Sequence, residues 1–283
     1  MSETWKIGIN AGAYHVQTPE ESIDAIARAG FDACFTNWNE TTDVAALAAR
    51  IRSLGLIYQS IHAPFGPCSA LWDEGDAGDE FASVLIRCIH DCAENDVPIA
   101  VMHPIIGMDR NTPPSALGLK RFERIIKAAE ETPVRLAFEN VEHINYLQAL
   151  IDAFADSPAV GFCWDTGHEL CYNHAEDVPA RYGDKLICTH LNDNLGMTDP
   201  SVLTFLDDAH LMPFDGTADW AGICKRLKRA HYQGILMMEL CSQAKPGRNT
   251  HDRYAALDQD AYLRQALERG RRIAALMDET PDC

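Results

Sequence analysis

Short apolar runs alternate with amphipathic segments along almost the whole chain. The apolar runs have the length and near-continuous hydrophobicity of strands that are buried on both faces of a parallel sheet. The segments between them carry apolar residues at helical spacing, as surface helices do. In the first of these segments, Thr18 is a typical N-cap, Pro19 suits a first helical position and Gly30 suits a helix end. This regular alternation predicts an α/β architecture built on a parallel sheet.

The pattern predicts eight strands, each followed by a helix. Strands are expected near residues 6–10, 31–36, 56–62, 98–103, 134–140, 160–165, 185–191 and 234–240. Helices are expected near residues 19–29, 43–54, 79–94, 115–131, 145–155, 176–183, 219–231 and 258–279. Eight such units in 283 residues fit a (β/α)8 TIM barrel, which typically needs about 250 residues. We therefore expect a single TIM-barrel domain over residues 1–283.

A doubly wound open sheet is the alternative α/β fold. Dinucleotide-binding sheets of that kind carry a Gly-x-Gly-x-x-Gly loop after their first strand. The turn after residues 6–10 lacks this loop, which favours the barrel.

Composition bears on the class of partner. The chain has 24 Lys and Arg against 42 Asp and Glu, a net charge of −18, which opposes binding to nucleic acid or anionic membranes. No apolar run is long enough to span a bilayer, and the first five residues do not resemble a secretory signal. We therefore expect a cytoplasmic protein that binds neither nucleic acid nor membrane. The ten cysteines include no Cys-x-x-Cys pair and are interpreted as small buried residues.

Metal-ligand side chains stand at the carboxyl ends of six of the eight predicted strands. In a TIM barrel these ends meet at the mouth that holds the active site. One such residue has an ordinary structural explanation, but six at the same phase of the repeat do not. Carboxylates gathered there would repel one another unless a cation neutralised them. The six are His62, His103, Glu139, Asp165, His190 and Glu239, and His168, Asp208 and His210 lie in the adjoining turn and loop.

Three motifs carry a resemblance to a known family. They are Phe162-Cys163-Trp164-Asp165-Thr166-Gly167-His168, His190-Leu191-Asn192-Asp193, and His210-Leu211-Met212-Pro213-Phe214-Asp215-Gly216 leading to Asp219-Trp220. Over nearly its whole length the chain resembles the xylose isomerase-like TIM barrel superfamily, which joins sugar isomerases and epimerases to the second family of apurinic-site endonucleases. The resemblance to the epimerase-like members implies one divalent metal ion held by Glu139, Asp165, His190 and Glu239. Imidazole and carboxylate ligands suit Mn, Zn, Co or Fe, of which Mn or Zn is preferred.

The resemblance implies a metal-dependent isomerase or epimerase acting on a small sugar or sugar phosphate. Its chemistry would be proton abstraction next to a carbonyl through an enediolate, with Glu139 and Glu239 as the acid–base pair. These residues come from non-adjacent strands, so they could act on opposite faces of one carbon. His168 is expected to contact the developing oxyanion. The residues expected to orient the ligands are Asn140, Asn192 and Asp193.

Two other functions stay open. In the endonuclease members a trinuclear zinc cluster would take further ligands, which in a one-metal enzyme would contact substrate instead. The alternatives are thus a multi-zinc phosphodiester hydrolase and a non-catalytic sugar-binding subunit. The net charge and the scarcity of basic clusters in the mouth loops favour the sugar enzyme. The further ligands of the endonuclease-type zinc cluster match His62, His103, His168, Asp208 and His210.

The substrate and the reaction are less constrained. His210 stands where ketose 3-epimerases normally present an arginine, so isomerisation, epimerisation and elimination all stay open. Lys245, Arg248 and Arg253 follow strand eight, where barrels often bind phosphate, although a solvated basic loop explains them equally well. A homo-oligomer is also left open. The aromatic candidates for an apolar wall against a sugar ring are Trp5, Phe65, Trp72 and Trp164.

Overall fold

In a computed structural model, which describes residues 5–14 and 18–281, eight parallel strands alternate with helices. The strands are β1 (Ile7–Asn10), β2 (Ala33–Asn37), β3 (Ile57–His62), β4 (Ile99–Met102), β5 (Arg135–Glu139), β6 (Val160–Asp165), β7 (Leu186–His190) and β8 (Leu236–Met238). The helices are α1 (Pro19–Ala29), α2 (Val44–Ser53), α3 (Ala77–Glu94), α4 (Ala116–Glu130), α5 (Asn145–Ala153), α6 (Thr166–Cys171), α7 (Pro179–Tyr182), α8 (Trp220–Arg229) and α9 (Gln259–Glu279). Short 3₁₀ turns span Cys68–Trp72, Gly183–Lys185, Phe205–Asp207 and Asp252–Tyr254.

The sheet closes into a barrel. Its strands pair in the order β7-β6-β5-β4-β3-β2-β1-β8, so the first strand also pairs with the last. Between β7 and β8 the ring is completed by Leu191, whose N–H donates to the carbonyl of Met237 at 2.8 Å and whose carbonyl accepts from the N–H of Glu239 at 3.3 Å. The predicted TIM barrel is therefore confirmed, and the open-sheet alternative is wrong.

The helices cover the barrel because each buries one apolar face. Helix α9 shows the pattern, with its buried residues recurring at helical spacing. It approaches β1 so closely at Gly270 that a Cβ there would lie 2.5 Å from Cγ2 of Ile7. At the first helix, Thr18 and Glu21 form a reciprocal capping box, as the sequence leads one to expect for α1. Among the described residues, no helix has both the length and the apolar character that a bilayer span requires.

Most predicted boundaries agree with the structure to within three residues, and two regions differ. The helix expected near 176–183 is only the four-residue α7, and an unpredicted helix, α6, begins directly after β6. Asp165 ends the strand and also caps this helix, because its carboxylate accepts from the N–H of His168 at 2.6 Å. Strand β8 ends at Met238, which places Glu239 just beyond the ladder, at the barrel mouth.

Candidate active site

Four of the predicted ligands meet at the carboxyl ends of β5 to β8. Glu139, Asp165 and His190 end their strands, and Glu239 follows β8 directly. Each offers one ligand atom, and these four atoms all lie within 4.8 Å of one another. Glu139, Asp165 and His190 are fully buried, whereas the Glu239 side chain keeps 19% of its surface exposed. The barrel thus gathers three carboxylates and an imidazole into one small space.

Glu139 lies at the centre of the site, with imidazole nitrogens around both of its oxygens. Oε1 is 3.0 Å from Nδ1 of His190 and 3.4 Å from Nδ1 of His168. Oε2 is 3.3 Å from Nε2 of His62 and 3.3 Å from Nε2 of His103. No Lys or Arg of the described chain forms an ion pair with this carboxylate. Its countercharges are therefore groups that can gain or lose a proton near neutral pH.

Two further groups of potential ligands flank these four. His62 and His103 converge on Glu139, and His168 and His210 converge with Asp165, each group with ligand atoms within 4.8 Å. All nine residues singled out in the sequence are brought to the same mouth. The ninth, Asp208, sits between two imidazoles: its Oδ1 is 3.0 Å from Nε2 of His210 and 3.6 Å from Nε2 of His168.

The donor set fits a divalent metal. Oδ1 of Asp208 is buried and has no hydrogen-bond partner among the described residues, although the ring nitrogen of His210 is only 3.0 Å away. Nitrogen and oxygen atoms that approach without forming hydrogen bonds are arranged as ligands would be. Nε2 of His190 and Nδ1 of His103 are likewise buried and unpartnered in the described chain. Imidazole and carboxylate ligands together suit Mn, Zn, Fe or Co.

A supporting layer holds Asp165. Nδ2 of Asn192 donates to Oδ2 of Asp165 at 2.8 Å. The side chain of Asn140 accepts from the backbone N–H of Asp165 and donates to the backbone carbonyl of Asp165, both at 2.8 Å. These contacts agree with the orienting role expected for the two asparagines. Asp193 does something else. Its carboxylate accepts from Nε1 of Trp220 and from the backbone N–H of Phe214, both at 2.9 Å, and so anchors the loop that carries the His210 motif.

Burial and neighbouring charges shift the pKa values of the site in opposite directions. Burial opposes the charge of Glu239, but His190 outweighs it and lowers the pKa of Glu239 to about 2. Glu139 behaves alike: attraction to His190 and hydrogen bonds from other imidazoles hold its pKa well below the usual range despite its burial. Burial raises the pKa of Asp165 to about 6. Burial also opposes the charge of His210, yet Asp208 raises its pKa to about 10.

A cavity of about 270 Å³ opens above the ligands. Its wall includes Glu239, His62 and His103 but not the enclosed Glu139. Lys245 also faces the cavity, and its Nζ lies 3.4 Å from Oδ2 of Asp208. The other two basic residues after β8 are engaged elsewhere, Arg248 with Asp207 and Arg253 with Asp215. Of the aromatic candidates, Phe65 lines the cavity, whereas Trp72 and Trp164 are buried in the core.

This geometry agrees with the match to a family of known proteins. Residues 23–272 match the family described as xylose isomerase-like TIM barrel. The chain belongs to this family. Among individual relatives, it is 33% identical over 161 residues to the uncharacterized protein y4fM of Sinorhizobium fredii, covering 56% of this chain and 45% of that protein. It is 23% identical to the uncharacterized protein MJ1311 of Methanocaldococcus jannaschii over 257 residues, 83% of each chain.

Solved structures with the xylose isomerase-like barrel show the same fold at low identity. A fusion of a xylose isomerase-like TIM barrel with 4-hydroxyphenylpyruvate dioxygenase has a TM-score of 0.73 at 19% identity, covering 99% of this chain and 45% of that one. D-psicose 3-epimerase from Clostridium cellulolyticum has a TM-score of 0.70 at 14% identity, covering 95% and 99%. L-ribulose 3-epimerase has a TM-score of 0.69 at 18% identity, covering 98% and 100%. The chain spans less than half the length of y4fM and of the fusion protein.

Much of the cavity wall of this xylose isomerase-like barrel does not follow from the sequence patterns. Glu142 and Tyr172 line it, although neither ends a strand. Glu142 follows Glu139 by three residues in the loop after β5, a position that could have drawn attention to it. Tyr172 follows the unpredicted helix α6, so no sequence signal placed it. The missed apolar residues of the wall are Ile106, Met108, Val141 and Phe205.

Proposed function

We propose that this protein is a divalent-metal-dependent sugar isomerase or epimerase that removes and returns a proton next to a carbonyl. The observation that carries the proposal is the convergence of Glu139, Asp165, His190 and Glu239 beneath a small cavity. A divalent cation held by these four would polarise the sugar carbonyl and offset the negative charge that develops on its oxygen. The structural neighbours that are named as 3-epimerases support the proposal through their shared fold.

The two glutamates are suited to different proton-transfer steps. Glu239 lines the cavity, where its side chain keeps 19% of its surface exposed. It is the group that would take a proton from a substrate carbon. Asp165 is fully buried and braced by Asn140 and Asn192, so it would hold the metal without exchanging protons with the substrate.

Glu139 does not reach the cavity surface, and its route to a substrate runs through histidines. Its Oε2 is 3.3 Å from Nε2 of both His62 and His103, and these two residues line the cavity. In this arrangement His62 or His103 would pass a proton between Glu139 and the substrate face opposite Glu239. His168 lies 3.4 Å from Glu139 and also lines the cavity, where it would donate to a substrate oxygen.

The size and charge of the cavity favour a small carbohydrate substrate. A volume of about 270 Å³ is close to the lower limit of known small-molecule sites. Nine of the fourteen side chains in its wall carry a polar group, which suits a ligand with many hydroxyl groups. The net charge of −18 opposes a nucleic-acid substrate.

Deuterium uptake from heavy water tests the proposal. Protein saturated with Mn²⁺ or Zn²⁺ is incubated with D-fructose, D-tagatose, D-psicose, L-ribulose and the corresponding aldoses, and the sugars are examined by NMR. We expect deuterium at the carbon next to the carbonyl, together with a new epimer or isomer. Absence of exchange across this panel and across oxidised glycosides would reject the assignment and favour a non-catalytic sugar-binding role.

A second function is favoured by one specific observation. The flanking ligand groups around His62 and His103 and around His168 and His210 match what a multi-metal phosphodiester hydrolase would need. Metal analysis separates the two functions, since one ion per chain supports the isomerase and three zinc ions support the hydrolase. Hydrolysis of bis(p-nitrophenyl) phosphate by the three-zinc protein, without sugar exchange, would replace the first proposal.

A further inference from the structure

Two polar side chains on the cavity wall lie outside the set of ligands. Glu142 and Tyr172 are 3% and 6% exposed, respectively, so both are more than nine-tenths buried, and both line the cavity. The hydroxyl of Tyr172 makes no hydrogen bond within the described chain, and Glu142 uses only Oε1, which accepts from the N–H of Gly107 at 2.5 Å. The free hydroxyl of Tyr172 and the free oxygen of Glu142 are open to the cavity, so a ligand there can form hydrogen bonds with both.

These two residues form one continuous wall. Nδ2 of Asn173, the residue after Tyr172, donates to the carbonyl of Val141 at 2.9 Å. Oδ1 of the same asparagine accepts from Nδ2 of Asn140 at 3.0 Å. The segment that carries Tyr172 is thus fastened directly to the loop that carries Glu142. The two segments are joined before any ligand arrives, which reduces the entropy lost on binding.

The loop beneath Glu142 is also fastened from the other side. Nε2 of His143 is 2.8 Å from the carbonyl of Gly107, whose N–H donates to Glu142. Gly107 has a φ of 127°, a conformation that favours glycine. In this conformation its N–H and its carbonyl both face the loop after β5. The carboxylate is therefore held by a structural hydrogen bond through one oxygen and presents the other to the cavity.

The chemistry of this wall selects a type of ligand. A carboxylate oxygen accepts a hydrogen bond from a hydroxyl, and a tyrosine hydroxyl can donate or accept one. A phosphate or carboxylate on the ligand would instead face the charge of Glu142. The one Lys or Arg on the wall of this cavity in the described chain, Lys245, is already paired with Asp208 at 3.4 Å.

We infer that Glu142 and Tyr172 recognise hydroxyl groups of an uncharged sugar, and that the cavity discriminates against sugar phosphates. This inference rests on the proposed function, because it names the substrate class of the same site. It narrows the choice between sugar and sugar phosphate that the sequence left open.

Binding and turnover measured together test the inference. Isothermal titration of the metal-loaded protein compares D-fructose, D-tagatose and D-psicose with D-fructose 6-phosphate and D-tagatose 6-phosphate. We expect the tightest-binding sugar to be unphosphorylated. Tyr172→Phe should raise its Kd and KM about 3- to 10-fold, the effect of one lost neutral hydrogen bond, while kcat changes less than about twofold. Glu142→Gln keeps an oxygen that accepts from the N–H of Gly107. It should reduce the preference for a ketose over its 6-phosphate about 10-fold.

Tyr262→Phe is the matched control. Tyr262 is fully buried in α9, its hydroxyl has no partner among the described residues, and it does not line the cavity. This variant should bind sugar like the parent. Unchanged sugar affinity in Tyr172→Phe, tighter binding of a sugar phosphate, or no binding of any of the three ketoses would overturn the inference. Binding that depends on Tyr172 but leads to no deuterium exchange would instead reject the proposed function and leave this inference standing.

Discussion

Two buried glutamates in neighbouring elements illustrate two uses of the same side chain. Glu169 in α6 is 2% exposed and accepts from Nε1 of Trp164 at 3.0 Å and from a guanidinium nitrogen of Arg226 at 2.5 Å. The Arg226 guanidinium lies over the Trp164 ring, 4.7 Å from its centroid. Glu139 is equally buried, but among the residues that the structure describes its countercharge comes from imidazoles.

The difference lies in the permanence of the countercharge. Arginine stays protonated at any accessible pH, so the pair of Glu169 and Arg226 is a fixed structural contact. Imidazoles around Glu139 can release their protons and use the same nitrogens as metal ligands. A buried carboxylate surrounded by histidines therefore indicates a metal site, whereas one paired with arginine and an indole N–H indicates a structural role.

The same substitution in the two regions should have opposite consequences, and this is the largest effect we expect. Glu139→Gln or Glu239→Gln keeps an oxygen that can bind metal but cannot accept a proton, so turnover should fall about 10²- to 10⁴-fold at saturating metal. Glu169→Gln should leave turnover unchanged and reduce the free energy of unfolding by about 1–3 kcal/mol. Steady-state kinetics and urea unfolding measure the two. Parent-like turnover in both active-site variants would contradict the two-carboxylate mechanism.

Removing a ligand should act on the metal rather than on proton transfer. His190→Ala takes away the imidazole that lies 3.0 Å from Glu139 and 3.1 Å from Glu239. Loss of a residue that only orients a metal ligand typically lowers metal affinity about 10- to 100-fold. We expect a larger fall for His190→Ala, with activity partly restored by excess metal. Competition with a chromogenic chelator measures the affinity. Parent-like affinity would remove His190 from the ligand set.

A smaller effect is expected one layer further out. Asn192→Ala removes the 2.8 Å hydrogen bond from Nδ2 of Asn192 to Oδ2 of Asp165. Metal affinity should fall about 10- to 100-fold, since outer partners orient their ligands. Asn194→Ala is a nearby control, because the side chain of Asn194 bonds the backbone N–H of Leu195 and makes no contact with a ligand among the described residues. Equal affinities in the two variants would show that Asp165 needs no such support.

A smaller effect again is the number of protons released on metal binding. Burial opposes the charge of His190, but Glu239 and Glu139 raise its pKa well above the usual value, so the metal-free protein holds it protonated at pH 7. Metal binding should therefore release about one proton, and affinity should rise up to about tenfold per pH unit above neutrality. Titration calorimetry in buffers of different ionisation enthalpy measures this release. Metal uptake without proton release would show that the imidazoles are already neutral.

The stability of the metal-free protein should change with pH in the opposite sense. The pKa of His210 is raised from 6.5 to about 10, so its protonation stabilises the folded state fully below pH 6.5. That contribution is lost as pH rises through about 10. In urea unfolding of the metal-free protein, the free energy of unfolding should decline from pH 6 to pH 10. The decline should be smaller in Asp208→Asn, because Asp208 is the main source of the raised pKa. A flat profile in the parent would contradict this assignment.

Local sequence patterns determined the barrel and the ring of candidate ligands. Strand and helix periodicity depends on neighbouring residues, and parallel strand ends always meet at one mouth, so His62 and Glu239 could be placed together although 177 positions separate them. Only the tertiary structure decided that Glu139 is enclosed while Glu239 faces the cavity, and that Asp193 anchors a loop instead of orienting a ligand. It also placed Glu142 and Tyr172 side by side on the cavity wall. These outcomes depend on how loops from different strands fasten to one another, and such long-range contacts leave no periodic signal in the chain.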